Sequence, residues 1–460
     1  MSMPCWDRCQ FAPSAAASKM VGWRSKATRV LGLAWTDACA SAGMTLAAGP
    51  TASEIIQVTG VSAGLAVVVG TTDGALEGGL TNGGKMLVQG LALSDEAAAK
   101  ARLHLFEQKL YGLASVAQVQ TAKTLPYYDR IVNLLVADLD GVGNDAPPME
   151  EIQRVLGYEG VAYLKKGGKW AKTIKPTPKE VDSWGHFGHD ASGNAVSHDL
   201  LVGPPNALRW NGGPFGRNLI GGMRTSNGIA VQINPTYNER LMNKSAVKGG
   251  VPDNLRGLLL WARDVNSGVL LWNRKIAEGG GDKDYALFSG YVKTFVAAEG
   301  RVFGFDFTAE DRIALTAWNL SSGAVERVYD KAAVCRKEDA PDIAPTGERG
   351  YGGAQPDWRT WARDTFARTT VLAHQGKVVH ALRDRLFVMD AATGEVLWRK
   401  EPAKGTLFLN AVIAGDRLVA VVGKLEGYQE QVPRWSNLRS AFPLDALEAW
   451  QWRMGFISIA

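Results

Sequence analysis

Three of the chain's six histidines, His186, His189 and His198, fall in one short run, "WGHFGHDASGNAVSHD" at 184–199, with Asp190 and Asp199 beside two of them. Imidazole and carboxylate are the donors that a zinc-class ion takes. His186 and His189, three apart, with His198 or Asp190 completing the set, are therefore candidate metal ligands. Tight sites usually set such ligands on a helix or knuckle, whereas this run carries Gly185, Gly188 and Gly193. It also lies between "KPTPKEVDSW" and "VGPPNALRW", which read as linker on both sides. The balance favours a joint between two domains, with Trp184 and Phe187 packing there and His189 and Asp190 hydrogen-bonding the turn. A second candidate set, Arg349, Trp358, Arg359 and Arg363, lies in the polar stretch 335–365, a long loop of the kind that carries binding residues on a rigid scaffold.

Two folded parts must position these residues. A length of 460 suits two domains and a leader. The first fifty residues read as an export leader: Arg24, Lys26 and Arg29 precede the apolar run Val30 to Trp35, and small residues follow, with Met20 as an alternative start. Export would place the protein in the periplasm or outside the cell; without a working signal it would be cytoplasmic. Cys5, Cys9 and Cys39 belong to this leader and Cys335 to the body, so no disulfide framework is expected. A net charge of +5 without a basic stripe argues against a nucleic-acid binder. No apolar run reaches the roughly 18 to 20 residues of a membrane span. No serine–histidine–aspartate set, metalloprotease helix or phosphate loop is visible.

Residues 50–176 alternate strand and helix, predicting a doubly wound α/β domain. "GLAVVVG" (64–70), "KMLVQGLAL" (85–93), "SVAQVQ" (115–120), "DRIVNLLVAD" (129–138) and "GVAYLK" (160–165) read as strands. Ser94-Asp95-Glu96 caps a helix whose apolar face is expected at Ala99, Leu103, Phe106 and Leu110, and Pro148 opens another carrying Ile152, Val155 and Leu156. "VVVGTTDG", "VQGLALSDEAAAKAR" and "MEEIQRVLGYEGVAYL" resemble the class I S-adenosylmethionine-dependent methyltransferases. The resemblance implies a cofactor turn at Gly70, Asp73 and Gly74. This chain departs from the family pattern at Thr72, at Ala92 where an acid usually holds the ribose, and at Tyr158-Glu159-Gly160 in the late turn. A retained fold with a weakened site follows.

Residues 200–460 carry a repeat of the form D/N-x-x-x-G-x-x-x-W. It occurs as Asp264, Gly268 and Trp272, as Asn319 and Gly323 with Arg327 in the Trp place, and as Asp390, Gly394 and Trp398. Asp or Asn starts a tight turn, Gly takes its left-handed end, and the Trp on the returning strand is expected to bury against a neighbouring sheet. "DAATGEVLW" resembles the blade of quinoprotein-type (PQQ-like) β-propellers, and "WGHFGHDASGN" resembles their entry segment. The whole resembles a bacterial family that fuses a degenerate methyltransferase-like domain to such a propeller, here incomplete, with about four to five blades and a decayed turn at 444–453. Residues 177–199 would be the linker and propeller entry. The resemblance implies a PQQ cofactor with Ca²⁺ only in members with an adjacent cysteine pair, which this chain lacks. The expected function is a non-catalytic exported binding or scaffold protein without a cofactor. Its ligand, a protein or small molecule, would sit on the propeller face, and an open sheet edge would invite self-association. A quinone-dependent dehydrogenase and an S-adenosylmethionine-dependent methyltransferase are the alternatives.

Overall fold

The computed structural model describes residues 49–203, 210, 223–236, 257–277, 294–339, 369–382 and 384–424. The leader with Cys5, Cys9 and Cys39, the loop residues Arg349, Trp358, Arg359 and Arg363, and the turn at 444–453 lie outside them. Among the described residues no helix is long and apolar enough to cross a membrane.

The first part is a six-stranded sheet. Strands β1 (Gly64–Val69), β2 (Met86–Ala92), β3 (Ala114–Gln118), β4 (Val132–Asp138) and β5 (Leu156–Lys166) run parallel in the order β3-β2-β1-β4-β5. Strand β6 (Lys169–Ile174) adds antiparallel to β5 at the edge, a strand the sequence reading did not anticipate. The two faces follow from side-chain alternation. Ala66 and Val68 join Leu80, Met86 and Leu105 on one side, and Val67 and Val69 join Leu135, Ile152 and Val155 on the other. Helices α1 (Ala52–Thr59), α2 (Ala75–Leu80) and α3 (Asp95–Glu107) supply the first layer, and α4 (Leu139–Val142) and α5 (Met149–Val155) follow β4.

The expected apolar face of α3 is corrected by the structure. Ala98, Ala101 and Leu105 are buried, while Ala99, Leu103 and Phe106 are exposed. Small alanines let the helix approach the sheet closely, so the larger residues are turned to solvent.

The second part consists of separate antiparallel sheets. One holds β7 (Arg224–Ser226), β8 (Ile229–Thr236), β9 (Gly257–Asp264) and β10 (Leu270–Ala277). The next holds β11 (Val296–Ala298), β12 (Arg301–Asp306), β13 (Arg312–Asn319) and β14 (Val325–Val328), with β15 (Val334–Arg336) also paired to β13. The third holds β16 (Thr370–His374), β17 (Lys377–Ala381), β18 (Leu386–Asp390) and β19 (Val396–Lys400), and β20 (Thr406–Ala414) pairs with β21 (Arg417–Lys424) as a hairpin. The first strands neighbour one another in chain order, β7 beside β11, β11 beside β16, β16 beside β20. One apolar core runs through the first three sheets, from Val231 and Leu260 through Phe303 and Trp318 to Val378 and Met389. Among the described residues no sheet closes on itself. Cys335 stands on β15, buried opposite Ile313, rather than in the loop.

The three repeat turns are built alike. Asp264 Oδ1 accepts the N–H of Asn266 and Ser267 and the Ser267 hydroxyl. Asn319 does the same for Ser321 and Ser322, and Asp390 for Ala392 and Thr393. Gly268, Gly323 and Gly394 close the turns at φ of +72°, +69° and +75°. The residue in the Trp place lies on the glycine of the following turn. Trp272 covers Gly323 and donates its indole N–H to the Leu320 carbonyl at 2.9 Å; Arg327 covers Gly394 and donates to Ala392 O, also at 2.9 Å. Trp210 holds the same relation to Gly268 and Val265 O. Trp398 departs from the expected burial, since 48% of its surface is exposed and no later repeat turn lies among the described residues.

Candidate functional site

The histidine run crosses the first strand of every antiparallel sheet. The Thr225 N–H of β7 donates to Trp184 O at 2.8 Å, and the Ala297 N–H of β11 to Gly185 O at 2.9 Å. The Ala373 N–H of β16 donates to His186 Nε2 at 3.1 Å, and the Ile413 N–H of β20 to Ala191 O at 2.8 Å. Four unpaired strand edges thus find acceptors on one short stretch of chain, which is the satisfaction that buried backbone donors require. Gly185 follows from the closeness of these contacts. A Cβ on Gly185 would stand 2.5 Å from the Ala297 carbonyl oxygen. Ala191 extends the anchorage by packing with Leu372, Val379, Phe408 and Ala411.

Around this strap the side chains separate into two groups. His186 is buried, and burial together with the nearby Arg224 cation holds its imidazole down to about 4, so it stays neutral and accepts the Ala373 N–H. Arg224 is itself buried, lying 4.5 Å from the Phe295 ring centre and 5.7 Å from that of Phe187, and donating to the Phe295 carbonyl; burial lowers it to about 10. His189 belongs to the second group. Its Nε2 is 2.5 Å from Asp182 Oδ2, its ring meets the His198 ring edge-on at 5.1 Å, and its backbone sits at φ +74°. Burial would raise the Asp182 carboxyl, but the N–H groups of His198 and Ser183 and the His189 ring outweigh it and bring the group down to about 2. The loop's neck is tied by Leu200 N–H to Glu180 O and by Asp182 N–H to Asp199.

Of the three histidines singled out in the sequence, the structure brings His189 and His198 together and turns His186 to β16. Asp182 takes the place that His186 was expected to fill. Sequence reasoning passed over Asp182, since it stands seven residues before His189, outside any short ligand spacing, and over Arg224, an isolated arginine beside the glycine-rich "LIGGM".

At the glycine turn of the α/β domain, Gly70 and Gly74 take positive φ (+86° and +83°). The N–H groups of Gly70 and Thr71 both donate to Leu91 O, and Asp73 accepts the Ala75 N–H. The Thr71 hydroxyl donates to the buried Glu77 carboxylate, which burial shifts upward. Val142 lies over the turn, 2.8 Å from where a Gly70 Cβ would stand. Ala92 is fully buried and its side chain offers no acceptor, while Thr72 is exposed to solvent. In the late turn Glu159 takes φ +60° and binds Thr177. The residues present therefore do not fit S-adenosylmethionine: the N–H groups of Gly70 and Thr71 are engaged, and Ala92 stands where an acid would hold the ribose.

The opposite end of the parallel sheet is joined to the first repeat turn. The Asn133 side chain of β4 accepts the Leu65 N–H and donates to Asp264 Oδ2, both at 2.8 Å. Asn266 fits against Gly157, where a Cβ would be 2.7 Å away. Asn133 therefore serves the domain contact, a role with no sequence signal.

No protein-family model matches the chain, and no curated protein matches it. Solved structures match its α/β part. They include a candidate S-adenosyl-L-methionine-dependent methyltransferase of Methanococcus maripaludis, at 23% identity over 26% of this chain and 55% of that one with a TM-score of 0.24. An S-adenosylmethionine-dependent methyltransferase of Aquifex aeolicus matches at 19% identity over 25% and 61%, TM-score 0.22. Geranyl diphosphate C-methyltransferase of Streptomyces coelicolor matches at 16% over 25% and 43%, TM-score 0.22. The chain spans about half the length of these proteins. The N-terminal domain is a doubly wound α/β domain of five parallel strands with an antiparallel edge strand, and the C-terminal region is rich in β-structure arranged as several antiparallel sheets.

Proposed function

We propose that the chain is a non-catalytic binding or scaffold protein, in which a propeller-type stack of sheets is strung on the 184–191 strap and capped by a methyltransferase-like domain. The carrying observation is the set of four hydrogen bonds from the first strands to that strap, three to backbone carbonyls and one to His186 Nε2, so that these donors are taken by the chain's own groups. The engaged N–H groups of Gly70 and Thr71 and the apolar Ala92 support the same reading for the α/β domain. Export and a ligand on the open face of the sheets belong to this proposal.

A second reading, an S-adenosylmethionine-dependent methyltransferase, is favoured by the strand order and by the left-handed glycines of the turn. Equilibrium dialysis of the full chain against labelled S-adenosylmethionine separates the two. The scaffold reading expects no saturable uptake; saturable uptake with one equivalent bound replaces it by the methyltransferase reading.

A further inference from the structure

The Asp182, His189 and His198 cluster has unmet capacity. Each residue offers one ligand atom, and these atoms lie within 4.8 Å of one another. His189 is only 3% exposed, and its two ring nitrogens face different carboxylates: Nε2 meets Asp182 at 2.5 Å, while Nδ1 stands 3.7 Å from Asp190 Oδ2. Nδ1 has no hydrogen-bond partner. With one ring proton, placed on Nε2 for Asp182, the buried Nδ1 lone pair faces an anion and no donor. A buried acceptor left in that state is destabilising.

We infer that Asp182, His189 and His198 form a binding site for a divalent cation of the zinc class, with Asp190 as the outer carboxylate. The cation takes the Nε2 lone pair of His189, and the ring proton moves to Nδ1, where Asp190 accepts it. That is the carboxylate–histidine–metal arrangement in which an outer acid fixes the ring and its tautomer. Asp182 is kept in place for the role by the N–H groups of His198 at 2.7 Å and Ser183 at 2.6 Å. His198 is exposed and turns its ring edge-on to His189, so it can supply the third donor and leave the fourth position to water. Two imidazoles and one carboxylate select zinc, cobalt or nickel over calcium or magnesium. Seating the ion requires Nε2 and Oδ2 to separate to about 3.3 Å, a shift that the neck of a surface loop accommodates. His186 takes no part, since its Nε2 already accepts the Ala373 N–H. The ion would clip the neck of the 182–199 loop and so lock the strap against the sheets.

The test is titration of the chelator-treated full chain with Co²⁺, read by the visible absorption of four-coordinate cobalt and by metal stoichiometry. One equivalent with that absorption is expected. His198→Gln, at an exposed position where folding is not at issue, should weaken binding by more than about tenfold, and Asp190→Asn by about tenfold. His186→Gln should leave the affinity unchanged. Absence of stoichiometric cobalt in the folded wild-type chain overturns the inference, as does an affinity that His198→Gln leaves untouched.

Discussion

The glycine turn at 70–74 and the strap at 184–191 look alike in the sequence: both are glycine-spaced, carry an aspartate, and could cradle a ligand. In the structure they differ in where their polar groups go. The turn is tied into its own domain, with Leu91 O of β2 taking the N–H groups of Gly70 and Thr71, Asp73 accepting the Ala75 N–H that opens α2, and Val142 lying over Gly70. The strap turns its acceptors outward to four different strands and leaves His189, Asp182 and His198 gathered at its neck. A motif whose donors complete the sheet beside it is a fold element. One whose polar atoms are answered by distant parts of the chain is a joint.

Several changes would break or sharpen that contrast. The largest effect is expected for Gly185→Ala, whose methyl group would meet the Ala297 carbonyl oxygen at 2.5 Å; a loss of more than about 3 kcal/mol is expected in chemical denaturation. If the variant unfolds like the wild type, the strap does not lie on β11. Next comes acid. The His186 imidazole has an ordinary value of 6.5 and is held at about 4 in the fold, so the unfolded chain binds the proton first. Stability should therefore fall as pH drops from about 6.5 to about 4, by up to about 3 kcal/mol. His186→Gln, which keeps an acceptor for Ala373, should flatten that slope. Asp182 acts in a separate, lower window. Its folded value of about 2 lies below the usual 3.8, so its contribution is present above 3.8 and lost as pH falls toward 2.

Smaller changes are expected at the sheet end and the turn. Asn133→Ala removes the bonds to Leu65 and Asp264 and should cost about 1–3 kcal/mol. Thr72→Gly restores the glycine of the methyltransferase pattern at a solvent-facing position. It should change stability by no more than about 0.5 kcal/mol and confer no S-adenosylmethionine binding. Binding regained by this single change would mean that the turn is limited by Thr72 and not by its engaged N–H groups.

The parallel strands were legible because they are buried on both faces and so read as continuous apolar runs. The repeat turns were legible because Asp or Asn, Gly and Trp each have a fixed place in one hairpin. The face of α3 was misread since alanine spacing at Ala98 and Ala101 carries less apolar weight than Leu103 and Phe106, which the structure exposes. Asp182 was illegible for a different reason. Its partnership with His189 is made by the return of an irregular loop, whose closure depends on Leu200 reaching Glu180 and on no periodic pattern. The link from Asn133 to Asp264 joins residues 131 positions apart and lies beyond any local signal.

The most direct test is amide hydrogen exchange at Thr225, Ala297, Ala373 and Ile413, the four residues on four first strands that donate to the strap. Protection of all four in the wild type, lost together in Gly185→Ala at a denaturant concentration where the β1 amides of the parallel sheet remain protected, is the predicted result. Exchange of these four amides at the rate of exposed loop residues in the wild type would contradict it.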